Sequence, residues 1–320
     1  MSEPGFYGEA ICAIGAFDGV HLGHQYLLQA AQQQADKAGL PCLVVTFDRD
    51  PDDLLAPQRT RKLLADSERL QRLGCLDYGG PGLADPAQGI TDSRRRLVLA
   101  LPFEPALAGL APLDFLNEVL AAHCEPRGIH VGSDFRFGAQ AGGNVATLQQ
   151  WALAHGAAAF GHELLDDTAR PVSATRIRDC LASGELAEAN RLLTRPHHLR
   201  GQIVQGRGFG HQMGFPTANI AGLDGVMQPA DGVYAGWLEA DGQLLPAAIS
   251  VGVPLTFGEL AATLEVYILD FSGDIYNQVV TVHFREYLRP MQAFADVQAL
   301  TSQIARDVER TRELTAETGR

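Results

Sequence analysis

The spacing of apolar residues changes partway along the chain. Up to about residue 186, short apolar runs alternate with helical patterns. The runs fall at 11–17, 41–47, 97–103 and 128–135, and helical spacing fills 22–37, 62–73, 112–123 and 144–155. Strands separated by helices of this length predict a parallel sheet covered by helices on both faces. Residues 79–96, GGPGLADPAQGITDSRRR, break that order. They have no apolar period and predict a surface loop. Ser173 can cap a helix running to about Ala182, with Gly184 as its stop. A shorter helix follows over 185–193, and Pro196 with the two histidines after it reads as a linker.

From about Leu199 the period becomes two. Alternating runs at 201–205, 233–239, 245–251, 263–269 and 278–284 predict five strands, with Asp241-Gly242 as a tight hairpin turn. Many short strands with turn residues between them predict an antiparallel barrel or sandwich. Helical spacing returns near the end. Phe294, Val297, Leu300, Ile304 and Val308 form one apolar stripe, which predicts a helix packed on the barrel.

The length, 320 residues, agrees with two domains. The net charge of −13 excludes a non-specific binder of nucleic acid or of an anionic membrane. It leaves phosphorylated small molecules open, because a phosphate needs only a local cradle of N–H groups and a cation. Lys37 and Lys62 are the only lysines, so the second half cannot use a P-loop lysine. The five cysteines lack metal-clamp spacing and read as reduced thiols. The first 30 residues lack a signal-peptide pattern, and no apolar run approaches the ~18 residues of a membrane span. The expected setting is cytoplasmic. No feature of the pattern sets an oligomeric state.

Two constellations carry chemistry. The first, Gly15-Ala16-Phe17-Asp18-Gly19-Val20-His21-Leu22-Gly23-His24, spans the handover from the first strand to the first helix. A helix N-terminus at the carboxyl end of a parallel strand offers free N–H groups to an anion. His21 and His24 are three apart and point to one side of the first turn. Gly23 lets a phosphate chain approach the backbone. Two imidazoles converging there can stabilise charge developing on phosphorus. The alternative is a pair of surface histidines beside a turn.

The second is Gly206-x-Gly208-Phe209-Gly210, followed by Gly214-Phe215-Pro216-Thr217-Ala218-Asn219. A glycine-rich loop can bring N–H groups to phosphate oxygens. The hydroxyl of Thr217 and the amide carbonyl of Asn219 suit a hard cation such as Mg²⁺. Glu265 sits on the strand face opposite Leu264, Val266 and Ile268, where a carboxylate could take a proton from an attacking hydroxyl. Taken locally, these residues could equally be a structural turn and a solvated strand face.

The first constellation resembles the signature of the HxGH nucleotidyltransferases. With Thr46-Phe47-Asp48, Gly132-x-Asp134-Phe135-Arg136-Phe137-Gly138 and Ser173-Ala174-Thr175-Arg176-Ile177-Arg178, it is similar to the adenylyltransferase half of the bifunctional riboflavin kinase/FMN adenylyltransferase family. Residues 199–314 are similar to riboflavin kinase, through Gly214–Ile220, Gly232-Val233-Tyr234, Leu264-Glu265-Val266, Leu269-Asp270-Phe271 and Leu288-Arg289.

The resemblance implies a Rossmann-like α/β nucleotidyltransferase domain over 1–186. A six-stranded antiparallel β-barrel riboflavin kinase domain with a C-terminal helix is implied over 187–320. It implies catalytic roles for His21, His24 and Glu265. ATP would be bound by Gly15, Phe17, Asp18, Gly23, Ser173, Thr175 and Arg178 in the first half, and by Gly206, Gly208, Gly210, Thr217 and Asn219 in the second. Thr217 and Asn219 would also hold Mg²⁺. Asp134, Phe135, Arg136 and Arg289 would contact flavin. The implied substrates are riboflavin, FMN and ATP. The alternatives are a chain active only as a kinase, and a flavin-binding regulator without turnover. Several positions depart from the family pattern. Arg49-Asp50-Pro51 stands where members usually carry Pro-His-Pro, Ala174 where a second Ser is common and His211 where an Arg is usual. Pro254 and Leu255 alter a Pro-Thr-Phe turn, and 79–96 is extra.

Overall fold

The computed structural model describes residues 5–55, 61–75, 96–163, 165–167, 170–206, 214–223, 225–252 and 263–316. The chain divides into two compact units, Met1–Ala174 and Thr175–Arg320.

The first unit is built on five parallel strands: β1 (Glu9–Ile14), β2 (Cys42–Phe47), β3 (Leu97–Leu101), β4 (Glu125–Gly132) and β5 (Ala158–His162). Their order is β3-β2-β1-β4-β5. The order reverses between β1 and β4, and ligands of open α/β sheets bind at the carboxyl side of such a point. β1 is buried on both faces, as parallel strands usually are. Ala10, Cys12 and Ile14 join Leu43, Val45, Phe115 and Trp151 in one core layer. Ile11 and Ala13 join Val44 and the apolar stripe Leu27, Leu28, Ala31 and Ala35 in the other. That stripe belongs to α1 (Leu22–Ala38), which ends on Gly39 in a left-handed cap. α2 (Asp66–Gly74) begins four residues later than its pattern suggested. α3 (Val145–Ala154) is capped by Asn144, whose side chain accepts the Thr147 N–H. β5 escaped the sequence reading because AAFGH has no β-branched residue and no alternation. All five cysteines are free; Cys75 is half-buried and the other four are buried. Of residues 79–96, 79–95 lie outside the described residues. Arg96 is buried rather than on the surface, and donates to the Cys75 carbonyl at 3.3 Å.

The second unit opens with α4 (Ala174–Ser183) and α5 (Leu186–Leu193). Six strands then close into a barrel: β6 (His197–Val204), β7 (Ala218–Ala221), β8 (Gly232–Ala240), β9 (Gln243–Gly252), β10 (Thr263–Ile268) and β11 (Val279–Arg289). The order around the barrel is β8-β9-β10-β7-β6-β11. β7 is the strand missed in the sequence, where its first two residues read as part of a turn over Pro216–Asn219. His197 and His198 form the start of β6 and are buried, so they are not a linker. The Asn190 side chain fixes them by accepting the His197 N–H at 2.7 Å and donating to the Phe284 carbonyl at 2.9 Å.

The C-terminal helix, α6, runs Val297–Ala316. It begins three residues after Phe294, with the Asp296 carboxylate accepting the Ala299 N–H. The expected apolar stripe lies on its inward side only in part: Leu300, Ile304 and Val308 are half-buried there. Val297 is exposed, and the buried residues are Asp307, Thr311 and Thr315. The two threonine hydroxyls donate to carbonyls one turn back, and Asp307 takes the Arg289 guanidinium, so this polar face is internally satisfied.

Each unit buries an imidazole. His130 donates from Nε2 to Gln34 Oε1 and accepts at Nδ1 from His162. Burial, reinforced by His162, lowers its pKa to about 4. Burial, reinforced by His198, lowers that of His197 to about 3. Both groups bind a proton more readily in the unfolded chain. Their neutral burial is therefore harmless above pH ~6.5 and is penalised progressively as pH falls towards the folded values. At pH 4 the expected loss is on the order of 3 kcal/mol for each of these two imidazoles. Thermal unfolding followed from pH 7 to pH 4 should show both transitions dropping, and constant midpoints across that window would contradict the assignment.

Candidate active sites

The first site lies at the carboxyl end of β1. Gly15 closes the strand, donating its N–H to the Val45 carbonyl at 3.2 Å. The chain then makes a turn in which Phe17 (φ 57°), Gly19 (φ 73°) and Val20 (φ 41°) all have positive φ. For a β-branched residue such as Val20 this is genuine strain, of the kind held only where neighbours over-determine the backbone. Phe17 and Val20 are fully buried, and the Asp18 carboxylate accepts the Leu63 N–H at 2.9 and 3.2 Å. Asp18 thus ties the turn to the next segment.

His21 caps α1: its Nδ1 accepts the His24 N–H at 3.4 Å. In the neutral ring the proton is therefore assigned to Nε2. The His21 and His24 rings stack 3.6 Å apart, and the Phe17 ring meets His24 edge-on at 5.3 Å. Burial, reinforced by His21, holds the His24 pKa well below the usual imidazole range. Its Nδ1 is buried and has no protein partner, the state expected of an atom that waits for a ligand. A Cβ on Gly23 would sit 3.3 Å from the His21 ring and 3.4 Å from the Val172 carbonyl, so glycine lets those groups close in. The segment leading into Ser173 thereby passes beside the turn.

Ser173 stands at the head of α4 and is half-buried, Thr175 is exposed, and Arg178 is half-buried one turn on. After β4, Asp134 and Arg136 are exposed. Phe135 is half-buried and stacks on Phe137 at 5.4 Å. Arg136 donates to the Asp134 and Phe135 carbonyls. Asp50, in the segment where the pattern departs, accepts the Asp52 N–H; burial pushes its carboxyl up, while Arg69 and Lys62 pull it back.

The second site lies on the barrel. Strand register pairs Asn219 with Glu265, Glu265 with Ser250, Ser250 with Val233, and Val233 with Arg289. Directly paired residues share a face. The metal-ligand candidate, the candidate base and the flavin candidate therefore lie in one row across five strands. At ~4.8 Å per strand, Glu265 and Arg289 are roughly 14 Å apart along it. The Arg289 guanidinium is engaged by Asp307 at 2.8–3.2 Å and lies 5.7 Å from the Phe294 ring centroid, which ties the row to α6. Gly208 and Gly210 lie outside the described residues, as do His211, Pro254 and Leu255.

Gly206 packs directly on Asn219: a Cβ there would fall 2.0 Å from Asn219 Nδ2. Gly206→Ala must therefore displace Asn219. Its expected result is loss of the activity carried by the barrel with that of the first unit unchanged, and an unchanged barrel activity would show that Asn219 is not needed. Beside Thr217 opens a cavity of about 130 Å³, lined chiefly by Ile203, Val266, Phe271, Ile275 and Tyr276. This apolar pocket gave no signal in the sequence, because its residues come from four separate segments.

The parallel sheet with a histidine-bearing helix head at its switch point fits the nucleotidyltransferase resemblance of the first half, and the closed six-stranded barrel with the Pro-Thr-Ala-Asn run fits the flavokinase resemblance of the second. Comparison with known families agrees. An FAD synthetase model matches residues 5–78 and 89–176, and a riboflavin kinase model matches 193–315. The unmatched stretch 79–88 falls in the extra segment. The chain is 33% identical to the bifunctional riboflavin kinase/FMN adenylyltransferase of Pseudomonas fluorescens, over 96% of this chain and 93% of that one. It is 33% identical to the protein of the same name from Escherichia coli K12, over 93% and 90%. A crystal structure titled a macrolide-efflux protein from Streptococcus pneumoniae superposes with a TM-score of 0.81 at 30% identity, covering 97% of this chain and 96% of that one. The chain belongs to the bifunctional riboflavin kinase/FMN adenylyltransferase family. It carries both enzymatic domains, for phosphorylation of riboflavin to FMN and adenylylation of FMN to FAD, with ATP as co-substrate. No helix among the described residues is long and apolar enough to cross a membrane.

Proposed function

We propose that the two reactions are carried by the two sites described above, over residues 1–186 and 187–320, in a cytoplasmic enzyme. The single observation that carries the adenylyl-transfer assignment is the buried, unpartnered Nδ1 of His24 at the head of α1. An arriving phosphate supplies its partner and raises the imidazole pKa towards the charged form. His21 and His24, with the α1 N-terminus, then stabilise the charge that develops on the α-phosphate as FMN attacks and pyrophosphate leaves. Gly15, Phe17, Asp18 and Gly23 shape the turn. Ser173, Thr175 and Arg178 bind phosphate oxygens from the head of α4, and Asp134, Phe135 and Arg136 meet the flavin.

In the barrel, the apolar cavity beside Thr217 takes the adenine base. Glu265 accepts the proton of the ribityl 5′-hydroxyl as it attacks the γ-phosphate, the bond to the bridging oxygen breaks and ADP leaves. Gly206, Gly208 and Gly210 supply backbone N–H groups to the phosphates, and Arg289 borders the flavin at the far end of the row. Thr217 and Asn219 fit a hard cation. They are half-buried oxygen donors, and Gly206 holds the Asn219 side chain in place. When bound, Mg²⁺ screens the charge of the transferring phosphate. Riboflavin, ATP and Mg²⁺ incubated with the protein and resolved by chromatography should give FMN and then FAD. FMN alone would leave only the kinase, and no product would leave only flavin binding.

A further inference from the structure

Arg69 is 1% exposed, although it is a permanently charged side chain. It belongs to α2, which contributes no residue to either constellation. Its guanidinium nevertheless reaches the base of the first. Nη1 donates to the Ala16 carbonyl at 3.0 Å and to Thr46 Oγ1 at 2.8 Å. Nη2 donates to the Phe47 carbonyl at 2.8 Å and to Asp66 Oδ1 at 3.2 Å. One side chain thus gathers the chain ends leaving β1 and β2. Asp66 is itself held by Lys62, at 2.5 Å. The Thr46 hydroxyl also donates to Ala16 O, at 3.4 Å.

Ala16 directly precedes the strained turn. Three of the next four residues, Phe17, Gly19 and Val20, hold positive φ, and His21 follows at once. Strained backbone persists only where its surroundings over-determine it. Besides the Thr46 hydroxyl on Ala16 and the Gln25 side chain on the Val20 carbonyl, two ties reach it from the following segment, Arg69 on the Ala16 carbonyl and the Leu63 N–H on Asp18. Both come from 61–74, so this segment clamps the turn from one side.

We propose that Arg69 is a positioning residue for adenylyl transfer: it fixes the 15–20 turn so that His21 and His24 are held at the reacting phosphate. This rests on the assignment of His21 and His24 made above. Lysine cannot replace the fork, because one ammonium on a shorter reach cannot serve acceptors spread in two fixed directions.

Arg69→Lys should lower kcat for FAD formation from FMN and ATP by about 10²-fold, the scale of a 1 Å misplacement of catalytic groups. The KM for ATP should stay within a few-fold. Riboflavin phosphorylation, measured in the same preparation, should be unchanged. Amide hydrogen exchange should quicken over residues 16–20 and not in the interior of α1. In Arg69→Gly, millimolar guanidinium should restore FAD formation and equimolar ammonium should not. A wild-type kcat in Arg69→Lys, or a loss confined to KM, would overturn the proposal; so would equal loss of both activities, or rescue by ammonium as well as guanidinium. His24→Ala run in parallel separates the two levels. If it leaves FAD formation intact, the histidine assignment fails. If it abolishes FAD formation while Arg69→Lys does not lower it, only the role of Arg69 fails.

Discussion

Glu265→Gln is expected to reduce riboflavin phosphorylation by 10²- to 10⁴-fold, the range for loss of a general base. The substitution keeps the volume and a carbonyl acceptor, and removes the ability to take a proton. Glu265 lies between Asn219 and Ser250 in the strand register, on the face opposite the buried Leu264 and Val266. The barrel core is untouched, so stability should change little. Adenylylation of supplied FMN should proceed at the wild-type rate. A kinase rate within a few-fold of wild type would make Glu265 an ordinary strand-face carboxylate.

His24→Ala is expected to do the converse. Removal of one preorganised donor from a developing phosphoryl charge costs about 2.7–4 kcal/mol of barrier, or 10²- to 10³-fold in rate. The ring also stacks on His21 and meets Phe17 edge-on, so a modest loss of local order accompanies the change. The neutral state enforced by burial adds a dependence on pH. His24 is charged only with phosphate beside it, so the free protein should show no imidazole titration from this residue near pH 6.5. Titration of the His24 ring by NMR, with and without ATP, reads this directly. An ordinary pKa in the free protein would contradict the burial.

Much of this was legible in the sequence because local chemistry and global pattern agreed. The strand-turn-helix around 15–24 announced itself by glycine spacing and paired histidines. The alternation over 263–269 placed Glu265 on the correct face. What was not legible depended on distant residues. Arg69 looks like any helix-surface arginine until α2 is docked, and only then does its fork meet Ala16, Thr46 and Phe47. β7 read as a turn because proline precedes it, while its strand character comes from pairing with β6 and β10. Apolar periodicity gave only part of the inward face of α6, for a physical reason. Asp307 is polar in sequence, yet the Arg289 guanidinium makes it a packing residue. The row from Asn219 to Arg289 spans five strands whose register no single segment encodes.

The most direct test of two separate sites is a complementation assay that follows FAD formed from riboflavin and ATP by His24→Ala, by Glu265→Gln, and by an equimolar mixture. Each variant alone should make FAD at least about 10²-fold more slowly than wild type, the first because FMN accumulates and the second because little FMN forms. The mixture should make FAD after a lag, as FMN released by one variant is adenylylated by the other. FAD from either variant alone at the wild-type rate would contradict the account, as would a mixture that makes none.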